Sequence, residues 1–240
     1  VQTVGNHEFD KGWADLAGRV NTSLNGIEQL GANVYAKGTR QVASPLKAYT
    51  TSKVGDLNVA VIGAVTGDLS SVVSPAGITG LTIGDPLEAV NETVAQLPPE
   101  TDLVIASIHE GAPDGNSTGD EQAEASPNFH KMWTGIDSRV HVVLNGHTHQ
   151  RYSWTNAKGQ LFTQAGSYGT VINELRAGVT SAGTLCGVSN TAIEIDPGVA
   201  DDSLPRIQRI SGIVSAAVAR ADEIGTTVIG KATAAISTPT

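Results

Sequence analysis

The chain has 240 residues, a net charge of −9 and a mean hydropathy of −0.05. This length suits one large domain or one domain with an appendage. The scattered basic residues form no stripe, which excludes the electrostatic footprint of a protein that binds nucleic-acid polymers. The single cysteine, Cys186, excludes an intrachain disulfide and a cysteine-based zinc site. No apolar stretch approaches the ~20 residues that a membrane-spanning helix needs.

The first part of the chain alternates predicted helices with buried strands. Apolar residues at spacings of three and four predict a helix over residues 12–30. A proline at the first helical position predicts a second helix over 85–97. The polar segments 67–84 and 112–127 are expected to be loops. Strands are predicted in five segments: 32–36, 46–51, 57–65, 103–108 and 140–144.

The later part of the chain changes character. Residues 152–155 and 161–164 flank a turn and predict a β-hairpin. Further strands are predicted at 171–175 and 191–195. Helices alternating with buried strands, followed by antiparallel strands, favour an α/β layered fold with two sheets.

Residues 202–224 predict one long amphipathic helix with an apolar stripe. Two interpretations of this helix stay open. It connects the preceding domain to something further along the protein, or it docks back on the same core.

Four of the six histidines follow apolar runs: His7, His109, His147 and His149. Open α/β sheets bind ligands at the carboxyl ends of their strands, so these four are candidate site residues. His130 and His141 lack this context, and we interpret both as structural.

His147 and His149 form a His-x-His pair directly after a predicted strand. In an extended segment both rings project to one side and can face one metal ion. The alternative is a pair of exposed loop histidines. His109 and Asn6 are weak candidates alone, but imidazole, amide oxygen and carboxylate together form a mixed ligand set suited to Zn, Mn or Fe.

His7 and Asp10 are three residues apart. A carboxylate that accepts a hydrogen bond from one imidazole nitrogen fixes the tautomer and presents the other nitrogen to substrate. His7 is therefore a candidate general acid for an oxygen leaving group. Asp10 could instead, or in addition, cap the following helix. We interpret Glu8 as structural.

Three motifs carry a family resemblance: Gly5-Asn6-His7-Glu8-Phe9-Asp10, His109 at a strand end, and Gly146-His147-Thr148-His149. They resemble the calcineurin-like metallophosphoesterases, and more narrowly the five-prime-nucleotidase and UDP-sugar hydrolase branch. The resemblance implies a four-layer α/β/β/α sandwich with two divalent metal ions, such as Zn or Mn. It implies that Asn6, His109 and His147 bind one metal and His149 the other. It also implies that His7, with Asp10, is catalytic, and that Asn6 and His7 lie against the substrate.

The chain departs from this family in one respect. The family's Asp-x-His and upstream Gly-Asp motifs supply further metal ligands, and no Asp-x-His occurs here. We therefore expect a central fragment whose metallophosphoesterase fold is incomplete at the N-terminus. Residues 1–198 would be the catalytic domain without its first strands, and 199–240 a linker helix and the start of a missing substrate-binding domain. Such a fragment would have weak activity or none.

The resemblance implies a metal-dependent hydrolase that converts a nucleoside 5′-monophosphate to nucleoside and phosphate. Its partner would be a small nucleotide or another phosphate ester. A cyclic-nucleotide phosphodiesterase, a UDP-sugar hydrolase and a non-catalytic binding or surface protein are the alternatives. Members of this branch are mostly exported, which implies a periplasmic, cell-wall or extracellular location.

Overall fold

A computed structural model describes residues 1–196, 198 and 201–235. The chain divides into two units, Val1–Ile195 and Asp196–Thr240. The first unit contains the described strands and all six histidines. The predicted functional division near residue 198 stays a prediction.

The secondary structure consists of short elements in the first unit and one long helix in the second. The strands are β1 Gln2–Thr3, β2 Gln29–Leu30, β3 Val34–Ala36, β4 Tyr49–Val54, β5 Leu57–Val65, β6 Leu81–Ile83, β7 Leu103–His109, β8 Val142–Asn145, β9 Arg151–Thr155, β10 Leu161–Ala165, β11 Val171–Val179 and β12 Leu185–Glu194. The α-helices are α1 Trp13–Asp15, α2 Asn21–Ser23, α3 Leu69–Val72, α4 Pro86–Val94, α5 Gly119–Ala125, α6 Pro127–Gly135 and α7 Pro205–Gly225.

The main sheet has six strands in the order β4-β5-β7-β8-β10-β9. The four central strands run parallel, while β4 and β9 pair antiparallel at the two edges. In the register, Ile108 of β7 lies beside Asn145 of β8. The carboxyl ends of the central strands therefore meet at one edge of the sheet, and His109 and the 145–149 segment lie there.

The two faces of the main sheet are covered differently. On one face, Val90 of α4 and Phe129 of α6 belong to the largest buried cluster. On the other, Leu57, Val59 and Leu103 form a smaller cluster. Leu185 and Val188 of β12, from the antiparallel β11–β12 hairpin, pack against that cluster. Helices over one sheet face and a second sheet over the other confirm the predicted mixed α/β class.

The predicted helix over residues 12–30 is wrong in its second half. Helix extends from Trp13 to Ser23 through a π-helical middle, Leu16–Val20. It ends because Asn25 and Gly26 adopt left-handed backbone angles, with φ of 47° and 89°. Gln29–Leu30 is instead β2, which pairs in parallel with β1. Leu30 is buried because of this pairing. A buried apolar residue at this position fits the helical spacing equally well, which explains the wrong prediction.

Both predicted loops contain regular structure. Residues 67–84 include α3, a 3₁₀ turn at Pro75–Ile78 and β6. Residues 112–127 include α5, which a capping box begins. There the Thr118 hydroxyl accepts from the Glu121 amide, and the Glu121 carboxylate accepts from the Thr118 amide.

The remaining elements agree with expectation to within a few residues. The β9–β10 hairpin is confirmed, and β11 and β12 are longer than predicted. The helix predicted at 202–224 is α7, and side chains of its apolar stripe, such as Ile210 and Val214, are exposed. None of the described helices combines the length and apolarity needed to cross a membrane.

His141 is a structural histidine, as predicted. It lies just before β8, and its Nδ1 accepts a hydrogen bond of 3.1 Å from the Val104 amide. Burial lowers the pKa of His141 below its ordinary value. The ring is therefore held neutral and joins two strands of the main sheet. His130 lies exposed on α6.

This arrangement predicts a pH-dependent contribution to stability. The folded pKa of His141 lies below the unfolded value of 6.5, so the unfolded chain binds the proton more tightly. The contribution is complete above that value and is lost as the pH falls below it. In His141→Asn, an amide oxygen replaces Nδ1 as the acceptor and does not titrate. Urea unfolding between about pH 8 and about pH 5 should show a larger loss of stability for the wild type than for the variant. Equal losses would contradict this role.

Candidate active site

The segment after β1 turns the Asn6 side chain inward and that of His7 outward. The Val4 amide donates to the Leu30 carbonyl at 3.0 Å, which ties the segment to β2. A 3₁₀ turn follows at Asn6–Phe9, with Phe9 fully buried. The Glu8 carboxylate accepts from the Gly5 amide at 2.6 Å, which agrees with a structural role for Glu8. Asn6 is buried as a result, whereas the side chain of His7 is 75% exposed.

The rings of two histidines from distant segments meet at the amide oxygen of Asn6. This Oδ1 atom lies 2.9 Å from Nε2 of His109 and 3.2 Å from Nδ1 of His147. The two imidazole rings are tilted, with centroids 5.3 Å apart. Because an amide oxygen only accepts, both ring nitrogens donate to it in this structure. The structure thus brings Asn6, His109 and His147 together, and their role as metal ligands stays a prediction.

The electrostatic environment keeps His109 neutral. Burial, followed by the neighbouring His147, lowers the pKa of His109 to about 4. At neutral pH this imidazole is uncharged, which is the protonation state that a metal ligand needs.

The donor atoms fit part of a divalent-metal site. Two imidazole nitrogens and one amide oxygen around a single point form a mixed N/O set, suited to Zn, Mn or Fe. Within residues 1–196, 198 and 201–235, no three His, Cys, Asp or Glu side chains are grouped closely enough to hold a metal ion. The described residues therefore supply a partial ligand set in which Asn6 provides the third donor.

Close packing at two glycines makes this convergence possible. A Cβ atom on Gly5 would lie 2.7 Å from Cε1 of the His109 ring, far inside van der Waals contact. A Cβ atom on Gly146 would lie 3.1 Å from Nδ1 of the same ring. His109 is thus packed between the loop after β1 and the turn after β8.

His7 and Asp10 form the predicted pair. Nδ1 of His7 lies 3.0 Å from Oδ2 of Asp10, and both side chains are more than half exposed. The helix that follows begins after Gly12, so Asp10 does not act as its N-terminal cap. Nε2 of His7 remains free of this pairing and can face a substrate.

His149 lies in the turn that follows β8. The expectation that His147 and His149 are extended is wrong, because their φ angles are 69° and 60°. The role of His149 at a metal ion stays a prediction. The His149 ring packs edge-on against Tyr168, with centroids 5.6 Å apart.

Several polar side chains that hold the strand ends together were missed in the sequence. The Glu110 carbonyl accepts from Nδ2 of Asn145 at 2.8 Å, which joins the ends of β7 and β8. The buried Glu110 carboxylate accepts from the Thr66 hydroxyl at 2.7 Å, which adds the end of β5. Each residue follows or ends a buried strand. A position at the end of a buried strand is the signal that identified the histidines. The same signal could have identified Thr66, Glu110 and Asn145.

Sequence comparison finds relatives but no matching family model. The chain is 31% identical over 184 residues to endonuclease YhcR of Bacillus subtilis (72% of this chain, 14% of the relative). It is 32% identical over 123 residues to a 5′-nucleotidase of Vibrio cholerae (46% and 20%). It is 28% identical over 172 residues to cell wall protein Lmo0130 of Listeria monocytogenes (62% and 22%). The chain thus spans less than a quarter of each of these relatives.

Comparison with solved structures finds phosphoesterases whose fold is similar to that of this chain. A 5′-nucleotidase precursor from Thermus thermophilus superimposes with a TM-score of 0.68 at 21% identity, over 95% of this chain and 44% of that one. The calcineurin-like phosphoesterase YfkN from Bacillus subtilis gives 0.67 at 18% identity, over 91% and 71%. The described residues therefore form part of the calcineurin-like phosphoesterase fold, as predicted. The sequence relatives, which include a protein named 5′-nucleotidase, agree with the resemblance to that branch.

The packing at Gly5 gives a testable prediction. Gly5→Ala should displace the His109 ring and lower the free energy of unfolding by about 1–3 kcal/mol, because the methyl group overfills a packed position. The φ angle of Gly5, −105°, suits alanine, so the effect would be steric. Urea unfolding measures the loss, and histidine ring NMR signals report the displacement.

Gly18→Ala is the matched control, because among the described residues nothing beyond its chain neighbours and its own helix backbone lies within 4 Å of the added Cβ. It should leave stability unchanged or raise it by up to about 1 kcal/mol. If Gly5→Ala behaved like this control and left the His109 signals unmoved, the tight packing described here would be incorrect.

Proposed function

We propose that the full-length protein containing this chain hydrolyses phosphate esters, with nucleoside 5′-monophosphates as the favoured substrates. The observation that carries this proposal is the convergence of Asn6, His109 and His147 beside the exposed His7–Asp10 pair. Such an arrangement offers a ligand set next to a group that can transfer a proton. Relatives named 5′-nucleotidase and endonuclease support phosphate-ester chemistry.

In this proposal Asn6, His109 and His147 would hold one divalent ion and His149 would contribute to a second. Ions of the Zn or Mn type suit these nitrogen and oxygen donors. When bound, a metal pair activates a water molecule as the nucleophile and neutralises charge on the phosphoryl oxygens. The low pKa of His109 supports this role, because proton competition for its nitrogen is weak at neutral pH.

His7 would act on the leaving group. The Asp10 carboxylate accepts a hydrogen bond from Nδ1–H of His7 and so fixes the tautomer and orientation of the ring. Nε2 is then left to donate a proton to the departing oxygen or to stabilise its developing charge. Asn6 and His7 would both contact the phosphate, since they are adjacent at the end of the same strand.

A phosphodiester is the second candidate substrate, because one relative is named an endonuclease. The same residues would serve a cyclic nucleotide or a UDP-sugar. A net charge of −9 disfavours a long nucleic-acid polymer. The His7–Asp10 pair disfavours a purely binding protein, because binding alone does not need an oriented imidazole. We also propose export to the cell envelope or medium, supported by the relative named a cell wall protein.

The role of His7 is testable in the full-length protein. His7→Gln should lower kcat/KM for AMP by about 10²–10⁴-fold, because the variant lacks a transferable proton. The metal content should be unchanged, because His7 is placed outside the ligand set. Asp10→Asn should lower kcat/KM by a smaller factor. Steady-state kinetics and elemental analysis provide the two readouts.

His130→Gln is the matched control, since His130 is exposed on α6 and outside the site. It should retain wild-type kinetics. A His7→Gln variant with wild-type kcat/KM, or with a lower metal content, would contradict the assigned role.

Metal removal tests the first part of the proposal. Dialysis of the full-length protein against a chelator should abolish hydrolysis of AMP, and added Mn or Zn should restore it. Elemental analysis should give two equivalents of metal per chain. Full activity after complete removal would refute metal-dependent hydrolysis, and the absence of both metal and activity would favour a binding protein.

A further inference from the structure

We propose that Gln164 is a positioning residue that acts through Thr148 to set the conformation of His147 and His149. This inference rests on the proposed function, in which both histidines are metal ligands. It adds a residue from a neighbouring strand that touches neither metal nor substrate. The contact that defines it is a hydrogen bond of 2.8 Å from Nε2 of Gln164 to the Thr148 hydroxyl.

The sheet places Gln164 beside the histidine turn. Gln164 lies on β10, which runs parallel to β8, and Thr163 pairs with Leu144 just before the turn begins. The Gln164 side chain is buried, with 2% exposure. Removing an amide from water costs free energy unless the amide forms a hydrogen bond within the protein. Its NH₂ group finds this partner in the middle residue of His147-Thr148-His149.

The turn itself needs external support. His147 and His149 have φ angles of 69° and 60°, a region that residues with side chains rarely adopt. Such angles persist only where surrounding contacts over-determine them. Two of the bonds to Thr148 are local: its amide donates to the Gly146 carbonyl at 2.8 Å, and its carbonyl accepts from Gln150 at 3.2 Å. Gln164 instead connects the turn to the rigid sheet.

Packing confines this hydrogen bond. A Cβ atom on Gly111 would lie 2.8 Å from the Gly146 carbonyl oxygen, 2.8 Å from the Thr148 hydroxyl and 2.9 Å from Nε2 of Gln164. The backbone after β7 therefore presses against both partners of the bond. Gln164 has little room to turn away, so it fixes Thr148 and, through Thr148, the two flanking histidines.

The test removes each partner with a side chain of similar shape. Thr148→Val removes the hydroxyl and Gln164→Met removes the amide, whereas Thr148→Ser keeps the hydroxyl. Thr163→Val is the matched control, because it removes another buried hydroxyl from β10 that bonds to the Tyr152 carbonyl rather than to the turn. Two readouts are needed: NMR of the metal-free 240-residue chain, and Zn²⁺ titration of the full-length protein.

We expect the backbone amide signals of His147 and His149 to shift or broaden in Thr148→Val and in Gln164→Met. Zn²⁺ affinity should fall by about 10–100-fold in both, as is typical when a residue behind a metal ligand is lost. The double variant should lose no more than the weaker-binding single variant, because both changes break one bond. Thr148→Ser should retain wild-type behaviour. Thr163→Val should lower stability but leave the Zn²⁺ affinity and the turn signals unchanged.

Unchanged His147 and His149 signals in both loss variants would overturn the proposal, as would additive losses in the double variant. The two readouts also separate the two levels of inference. If the wild-type protein bound no Zn²⁺, the proposed function would fail, while the NMR spectra of the metal-free chain would still decide whether Gln164 positions the turn.

Discussion

The amide oxygen of Asn6 is the atom on which the site depends. It accepts from His109 and His147, each of which lies more than a hundred positions from Asn6 in the sequence. Asn6 is buried, so loss of both partners would leave its oxygen without a hydrogen bond. This one atom therefore fixes the loop after β1 against the ends of β7 and β8. The exposed His7 follows Asn6 directly, so the hydrogen bonds that hold Asn6 also fix the position of His7.

The three side chains can meet because the main sheet brings their segments together and because glycine lies where the backbones approach most closely. Parallel strands place His109 and the 145–149 segment at one edge, but the backbones must also approach closely. Gly5, Gly111 and Gly146 each lie where a Cβ atom would collide with or crowd a neighbour. The polar contacts of Glu110 and Asn145 then join adjacent strand ends. The site is thus assembled from close backbone approaches and hydrogen-bonded side chains of several strands.

Much of this site was predictable, because density of polar residues after buried strands marks the carboxyl edge of an α/β sheet. That rule identified Asn6, His7, His109 and the histidine pair. It could not give the left-handed turn at 147–149, since that conformation is set by contacts from other strands. The fold was predictable where periodicity was unambiguous, as in β5 and α7. It failed at residues 24–30, where pairing with β1 buries Leu30, and at 112–127, where the capping box of α5 was overlooked.

In the proposed function, Asn6, His109 and His147 form one ligand set. A crystal structure of the full-length protein grown with Zn²⁺, with anomalous data collected at the zinc edge, tests this directly. We expect an anomalous peak in contact with Oδ1 of Asn6, Nε2 of His109 and Nδ1 of His147, the three atoms that meet in the structure. A fully occupied zinc elsewhere, with the hydrogen bonds to Asn6 intact, would contradict it.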